Sequence, residues 1–166
     1  PVLAVHELPI HDDRREHASE LTERLASAAS DLLVGVLRKG AQGLGTRAEQ
    51  VGDPTYAPKL EPDDLRLDFT RPVFELERLV RLDRAWTTFR GKRLLVLDAI
   101  GLPDEAHGSG TKTPSELEPG TMSDAEVRCA DGMLRLIEVQ PAGRNALRVE
   151  DWTRGSRPAP GERLGG

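Results

Sequence analysis

The sequence predicts an α+β chain with a helical first part and a small β-barrel toward its end. Three observations carry this. Leu21, Leu25, Ala28, Leu32 and Val36 recur at three- and four-residue steps, the period of an amphipathic helix. Residues 41–64 are rich in Gly, Pro and charge without clean periodicity, as in a linker. From Trp86 onward the chain breaks into short apolar runs separated by turn residues, the pattern of a small barrel.

Taken in order, Val2, Leu3, Ala4 and Val5 read as a strand. A strand at the very start predicts a partner strand before it, and so a longer parent protein. Asp12 and Asp13 are N-cap carboxylates for the helix that follows, or for a closely spaced helix pair with a break in the small residues 27–30. Gly40 and Gly43 supply the stop, with Arg38 and Lys39 in the last turn where cations suit the helix dipole. Within the linker, Tyr56 to Leu60 is an extended, pinned segment. Thr70 and Pro72 then open a short helix with the apolar stripe Val73, Leu76, Leu79 and Val80.

The strand region begins with Trp86 to Phe89, a turn at Arg90-Gly91, and a second strand over 93–97. Residues 101–121 form a long polar loop. Asp131-Gly132 suits a type I′ turn between strands over 127–130 and 133–139. The last strand closes on Pro141, which cannot donate to a ladder. It delivers the basic loop Ala142-Gly143-Arg144-Asn145 and a Trp152-containing terminal segment.

Composition narrows the function. With 37% hydrophobic residues and 31% charged, the chain has the makings of a globular core. No apolar run approaches the roughly 20 residues of a membrane helix, so a cytoplasmic protein with no membrane partner is expected. Cys129 is the single cysteine, which excludes an intramolecular disulfide and a thiolate metal cluster. The net charge of −5 argues against a uniformly basic nucleic-acid binder. Yet the deficit is uneven: residues 1–84 hold 12 Lys and Arg against 16 Asp and Glu, and residues 85–166 hold 11 against 12. Cations gather at Arg90, Lys92, Arg93 and again at Arg144, Arg148, Arg154 and Arg157.

His6, His11, His17 and His107 have no helical metal-pair spacing and read as solvated or packing residues, with no metal site. Cys129, at a hairpin edge, reads as a small buried hydrophobe. Trp86 and Trp152 are expected to anchor the barrel core rather than stack on bases, because only six aromatics are present to build it, and Tyr56 is read likewise. By composition alone, the cation clusters are ordinary solvated surface.

Three ordered blocks change that reading. Thr55-Tyr56-Ala57-Pro58-Lys59-Leu60, Trp86-Thr87-Thr88-Phe89-Arg90-Gly91-Lys92-Arg93-Leu94, and the stretch from Leu134 to Arg157 together resemble the carboxy-terminal part of the methionyl-tRNA formyltransferase family. Pro1-Val2-Leu3-Ala4 and Leu8-Pro9-Ile10 resemble the end of that family's catalytic domain. The resemblance implies the terminal strand and helices of a Rossmann-like formyltransferase domain over 1–45, a linker over 46–64, and an OB-like β-barrel domain with a leading helix over 65–166.

It also implies a reaction: transfer of a formyl group from 10-formyltetrahydrofolate to the methionine amino group of initiator tRNA. Such a transfer needs a general base and an oxyanion-stabilising donor. The family's Asn, His and Asp for these tasks have no counterpart here. The resemblance therefore implies no catalytic residue, no bound folate and no turnover by this portion alone, whose part is to orient the tRNA as a monomer. The matching cations are Lys59, Arg90, Lys92, Arg93, Arg144 and Arg148.

Two other readings stand beside it: a freestanding OB-like nucleic-acid-binding module, and a formyltransferase acting on a nucleotide-linked amino sugar. Two departures from the family pattern are visible. Leu79 to Trp86 joins helix to strand without the family's Pro/Gly loop, and the loop after Gln140-Pro141 is poorer in Lys.

Overall fold

The computed structural model describes residues 2–10, 15–43, 48–104 and 117–166. Asp12, Asp13, His11 and His107 lie outside them. The chain divides into two compact units, Pro1–Lys59 and Leu60–Gly166. Among the described residues no helix is long and apolar enough to cross a membrane.

In the first unit, helix α1 spans Ala18–Gly43. Its start is set by His17, whose backbone N–H donates to the Glu20 carboxylate at 2.9 Å, half of a capping box. The expected break at residues 27–30 is not there. Ser30 bends its hydroxyl back to the Ala26 carbonyl at 2.8 Å, which satisfies the small polar side chain without interrupting the helix. The interruption falls at Gly40, at φ 64°, where a residue without Cβ is needed. The expected strand over residues 2–5 reduces to one bridge, Val2 to Ala48, with bonds of 2.6 and 3.0 Å. Leu3 and Val5 are exposed, so this segment has no sheet to alternate against.

The second unit carries the sheet. A 3-10 turn at Pro62–Leu65 leads through Leu65, Leu67 and Phe69, buried at every second position, to helix α2, Val73–Val80. The stripe Val73, Leu76 and Val80 is fully buried. Thr70 does not cap this helix: its N–H and hydroxyl close a turn on the Asp68 carboxylate instead. The first helical N–H, of Val73, is taken at 2.7 Å by Asp131, 58 residues away.

Among the described residues six antiparallel strands follow: β1 (Trp86–Phe89), β2 (Lys92–Pro103), β3 (Met122–Ser123), β4 (Glu126–Arg128), β5 (Gly132–Pro141) and β6 (Leu147–Arg148). Their order is β1-β2-β5-β4-β3, with β6 also beside β5. Strand β2 is longer than expected and takes in Gly101, Leu102 and Pro103, because β5 offers it a partner residue out to Gly132. Helix α3 (Val149–Ser156) seats Trp152 in the core, edge-on to Phe89 at 5.0 Å.

Two turns exchange their expected chemistry. Arg90 and Gly91 both have positive φ, 51° and 68°, the two-residue geometry that suits a twisted hairpin. Neither Asp131 nor Gly132 does, so no type I′ turn forms there. Gly132 is required for closeness: a Cβ on it would stand 2.3 Å from the Leu102 carbonyl oxygen. Finally, the tail bonds to both ends of the sheet order. Leu164 N–H donates to Gly120 O beside β3, and Gly165 N–H donates to Thr88 O on β1, both at 2.9 Å.

Candidate nucleic-acid interface

The alternation of β1 and β2 decides which side chains face outward. Thr87, Leu94 and Val96 are buried, so Trp86, Thr88, Arg93 and Leu95 take the other face. In register, Thr88 stands opposite Arg93 and Phe89 opposite Lys92. Trp86 is half-buried rather than core, which corrects the expectation that both tryptophans anchor the interior; only Trp152 does. The Trp86 indole N–H donates to the Pro62 carbonyl at 2.7 Å, and the Arg93 guanidinium lies over the Trp86 ring at 4.5 Å from the centroid.

The basic loop after Pro141 comes to the same end of the sheet. Ala142 N–H donates to the Arg93 carbonyl at 3.0 Å. Arg144 N–H closes the loop on Pro141 O at 3.0 Å, while Gln140 Nε2 donates to Arg144 O at 2.8 Å. Gly143 turns the chain at φ 71°. The structure thus brings Lys92, Arg93 and Arg144, all exposed, onto neighbouring backbone. Arg148 is exposed on β6 with Glu138 as its partner across β5.

Arg90 is placed differently. Its guanidinium makes bonds of 2.6 and 2.9 Å to the Glu162 carboxylate and reaches the Ser156 and Arg157 carbonyls at 3.2 and 3.3 Å. These bonds raise the Arg90 pKa and hold the Glu162 carboxyl below its ordinary range, with the Ala159 N–H adding to the latter. Arg90 ties the tail to the first hairpin. Lys59 is exposed and belongs to the first unit.

Cys129 is fully buried, and burial pushes its thiol up to about 12, so it stays protonated at neutral pH. Arg128 is nearly buried and pairs with Asp104 through two bonds of 2.5 and 3.0 Å, a structural ion pair. Among the described residues no three His, Cys, Asp or Glu side chains group as metal ligands. What the arrangement can do is hold phosphate groups, which positions a nucleic acid without reading its sequence.

Sequence reasoning missed Arg66. It forms a bridge with Trp86 and lies 5.5 Å from the same indole centroid. The signal was present: Leu65, Leu67 and Phe69 alternate, which turns Arg66 outward.

Residues 59–157 match the family model described as formyl transferase, C-terminal domain. The chain is 39% identical to the methionyl-tRNA formyltransferase of Thermobifida fusca (strain YX) over 91% of its own length and 49% of that protein. It is 34% identical to the methionyl-tRNA formyltransferase of Acidothermus cellulolyticus, covering 99% of the chain and 55% of the relative. With that of Roseiflexus sp. (strain RS-1) it shares 33% identity over 99% of the chain and 50% of the relative. The chain spans about half the length of the curated relatives it matches.

Proposed function

The chain belongs to the formyl transferase C-terminal domain family, and from that premise we propose that it is the tRNA-orienting portion of a methionyl-tRNA formyltransferase. The enzyme would move a formyl group from 10-formyltetrahydrofolate to the methionine amino group of initiator tRNA. On this reading residues 1–45 are the remnant of the Rossmann-like catalytic domain, residues 46–64 the linker, and residues 65–166 an OB-like barrel led by α2. Support for the barrel comes from the tail, which bonds to β1 and beside β3 at the two ends of the strand order. The protein acts in the cytoplasm as a monomer. Its formyl donor and catalytic Asn, His and Asp belong to other residues of the enzyme, and this portion has no turnover alone.

One observation carries the reading: Lys92, Arg93 and Arg144 converge on neighbouring backbone in a chain whose net charge is −5. Cations gathered against the overall balance make a local phosphate-binding field. Arg148 on β6 extends it, Arg90 supports it from the adjoining turn, and Lys59 on the linker is a tRNA contact of its own. Holding the acceptor end in place contributes by fixing the attacking amine near the formyl carbon, where orientation alone removes much of the barrier.

The test is a titration of the full chain with a tRNA transcript at several salt concentrations. Binding is expected to weaken linearly on a log–log scale, with a slope of about −0.9 for each phosphate contact. Replacing Lys92, Arg93 and Arg144 together by Ala should weaken it about 100-fold or more at 0.1 M salt. Unchanged binding by the triple variant overturns the assignment. Formyl transfer by the chain alone overturns its inactivity.

A further inference from the structure

Several described arginines of the second unit pair with a carboxylate, as Arg71 with Glu75 and Arg135 with Glu126. Arg66 and Arg93 meet an aromatic ring instead. Resting on the tRNA reading, we infer that Arg66 and Arg93, held against Trp86, form a paired grip on the phosphodiester backbone of the RNA, with the indole as their positioning residue.

The ring is itself immobilised. Trp86 lies in the β1–β2 ladder opposite Leu95, its carbonyl accepts the Leu67 N–H at 2.8 Å, and its indole N–H donates to Pro62 O at 2.7 Å. Both guanidinium carbons stand within 5.5 Å of its centroid, inside the range of cation–π attraction. Such contact orders two long side chains while leaving their charge intact, whereas a carboxylate partner would neutralise it. An ordered planar fork then meets a phosphate with less rotamer freedom left to lose.

The acids nearest in sequence make hydrogen bonds of their own, and Asp68 feels the Arg66 charge without forming an ion pair with it. Asp64 accepts the Glu61 N–H at 2.8 Å, and Asp68 accepts the Thr70 N–H and hydroxyl at 3.0 and 2.7 Å. Arg66 keeps one bond to the Gly165 carbonyl, long at 3.4 Å. Neither arginine takes part in an ion pair among the described residues. The Arg93 carbonyl accepts from the loop that carries Arg144, so the grip is continuous with the cationic cluster.

The experiment is the same salt-dependent titration of the full chain with a tRNA transcript. Arg66→Ala and Arg93→Ala are each expected to weaken binding about eightfold at 0.1 M salt and to make the log–log slope shallower by about one. Arg93→Lys should keep the slope. Trp86→Phe and Trp86→Leu both lose the indole hydrogen bond, so their difference isolates the ring face: Phe should retain binding and Leu should weaken it about fivefold. Slopes unchanged in both alanine variants, with the unaltered chain still binding, overturn the grip and leave the tRNA reading intact. Equal binding by the Phe and Leu variants overturns the role of Trp86. No binding by the unaltered chain overturns both readings. A retained melting temperature in each variant separates these outcomes from loss of fold.

Discussion

The two compact units spend their apolar residues in opposite ways. In Pro1–Lys59 none of the described apolar residues is buried, and Leu25, Leu33, Val34 and Leu37 of α1 stand exposed. In Leu60–Gly166 the stripe of α2, alternate residues of β2 and β5, and Trp152 of α3 form one buried cluster. Both units have periodic apolar patterns, so periodicity specifies an element's conformation and its apolar face. Burial requires a second element shaped to receive that face. The second unit has such receivers within itself.

That contrast can be broken by matched substitutions. Leu76→Ala, at a fully buried position, is expected to destabilise the second unit by about 2–5 kcal/mol, while Leu33→Ala, at 58% exposure, should change stability by less than about 0.5 kcal/mol. Chemical denaturation followed by near-ultraviolet circular dichroism reads both. Comparable losses would mean that the first unit has a core of its own.

Gly132→Ala should come next. Its added methyl meets the backbone of Leu102, which cannot move without shifting the β2–β5 pairing, so about 1–3 kcal/mol is expected to be lost. A denaturation midpoint equal to that of the unaltered chain would show that the strand end yields freely. Asp131→Ala removes the acceptor for the first N–H of α2 and should cost about 1 kcal/mol. Thr70→Ala, at the position expected to cap, should cost less; the reverse order would restore the local cap.

The smallest effect tests how the tail is tied. Hydrogen bonds from Arg90 and Ala159 depress the Glu162 carboxyl below its ordinary 4.5. A depressed acid stabilises the fold above its unfolded value and loses that contribution as pH falls through the folded value. The Gly165 and Gly166 amide resonances should therefore shift below about pH 4.5, and Glu162→Gln should abolish the step. A tail that titrates identically in both proteins would show that Arg90 does not hold it.

Much of this was legible along the chain. The stripe of α2, the strand at Trp86–Phe89 and the strand ending at Pro141 follow from period and from proline's missing donor. So does the clustering of Lys92, Arg93 and Arg144 in two short basic segments. The pairing partners were not legible, and the errors collect there. Thr70 had the right chemistry and spacing for a cap, but the turn on Asp68 took its hydroxyl. Asp131-Gly132 had the right residues for a tight turn. Its aspartate serves a helix 58 residues back, and its glycine serves close approach to β2.

The sequence by itself determined where chain direction changes, which faces are apolar, and that a basic hairpin and a basic loop exist. Those properties depend on neighbours a few residues apart, whose spacing is fixed by helix and strand geometry. Only the tertiary structure decided that Trp152 is core while Trp86 lies half-buried against two arginines, and that Arg90 ties down the tail while Arg93 faces outward. The physical reason is that a tryptophan or an arginine satisfies its mixed chemistry with whatever groups the fold brings near, and those groups here lie up to 99 residues away.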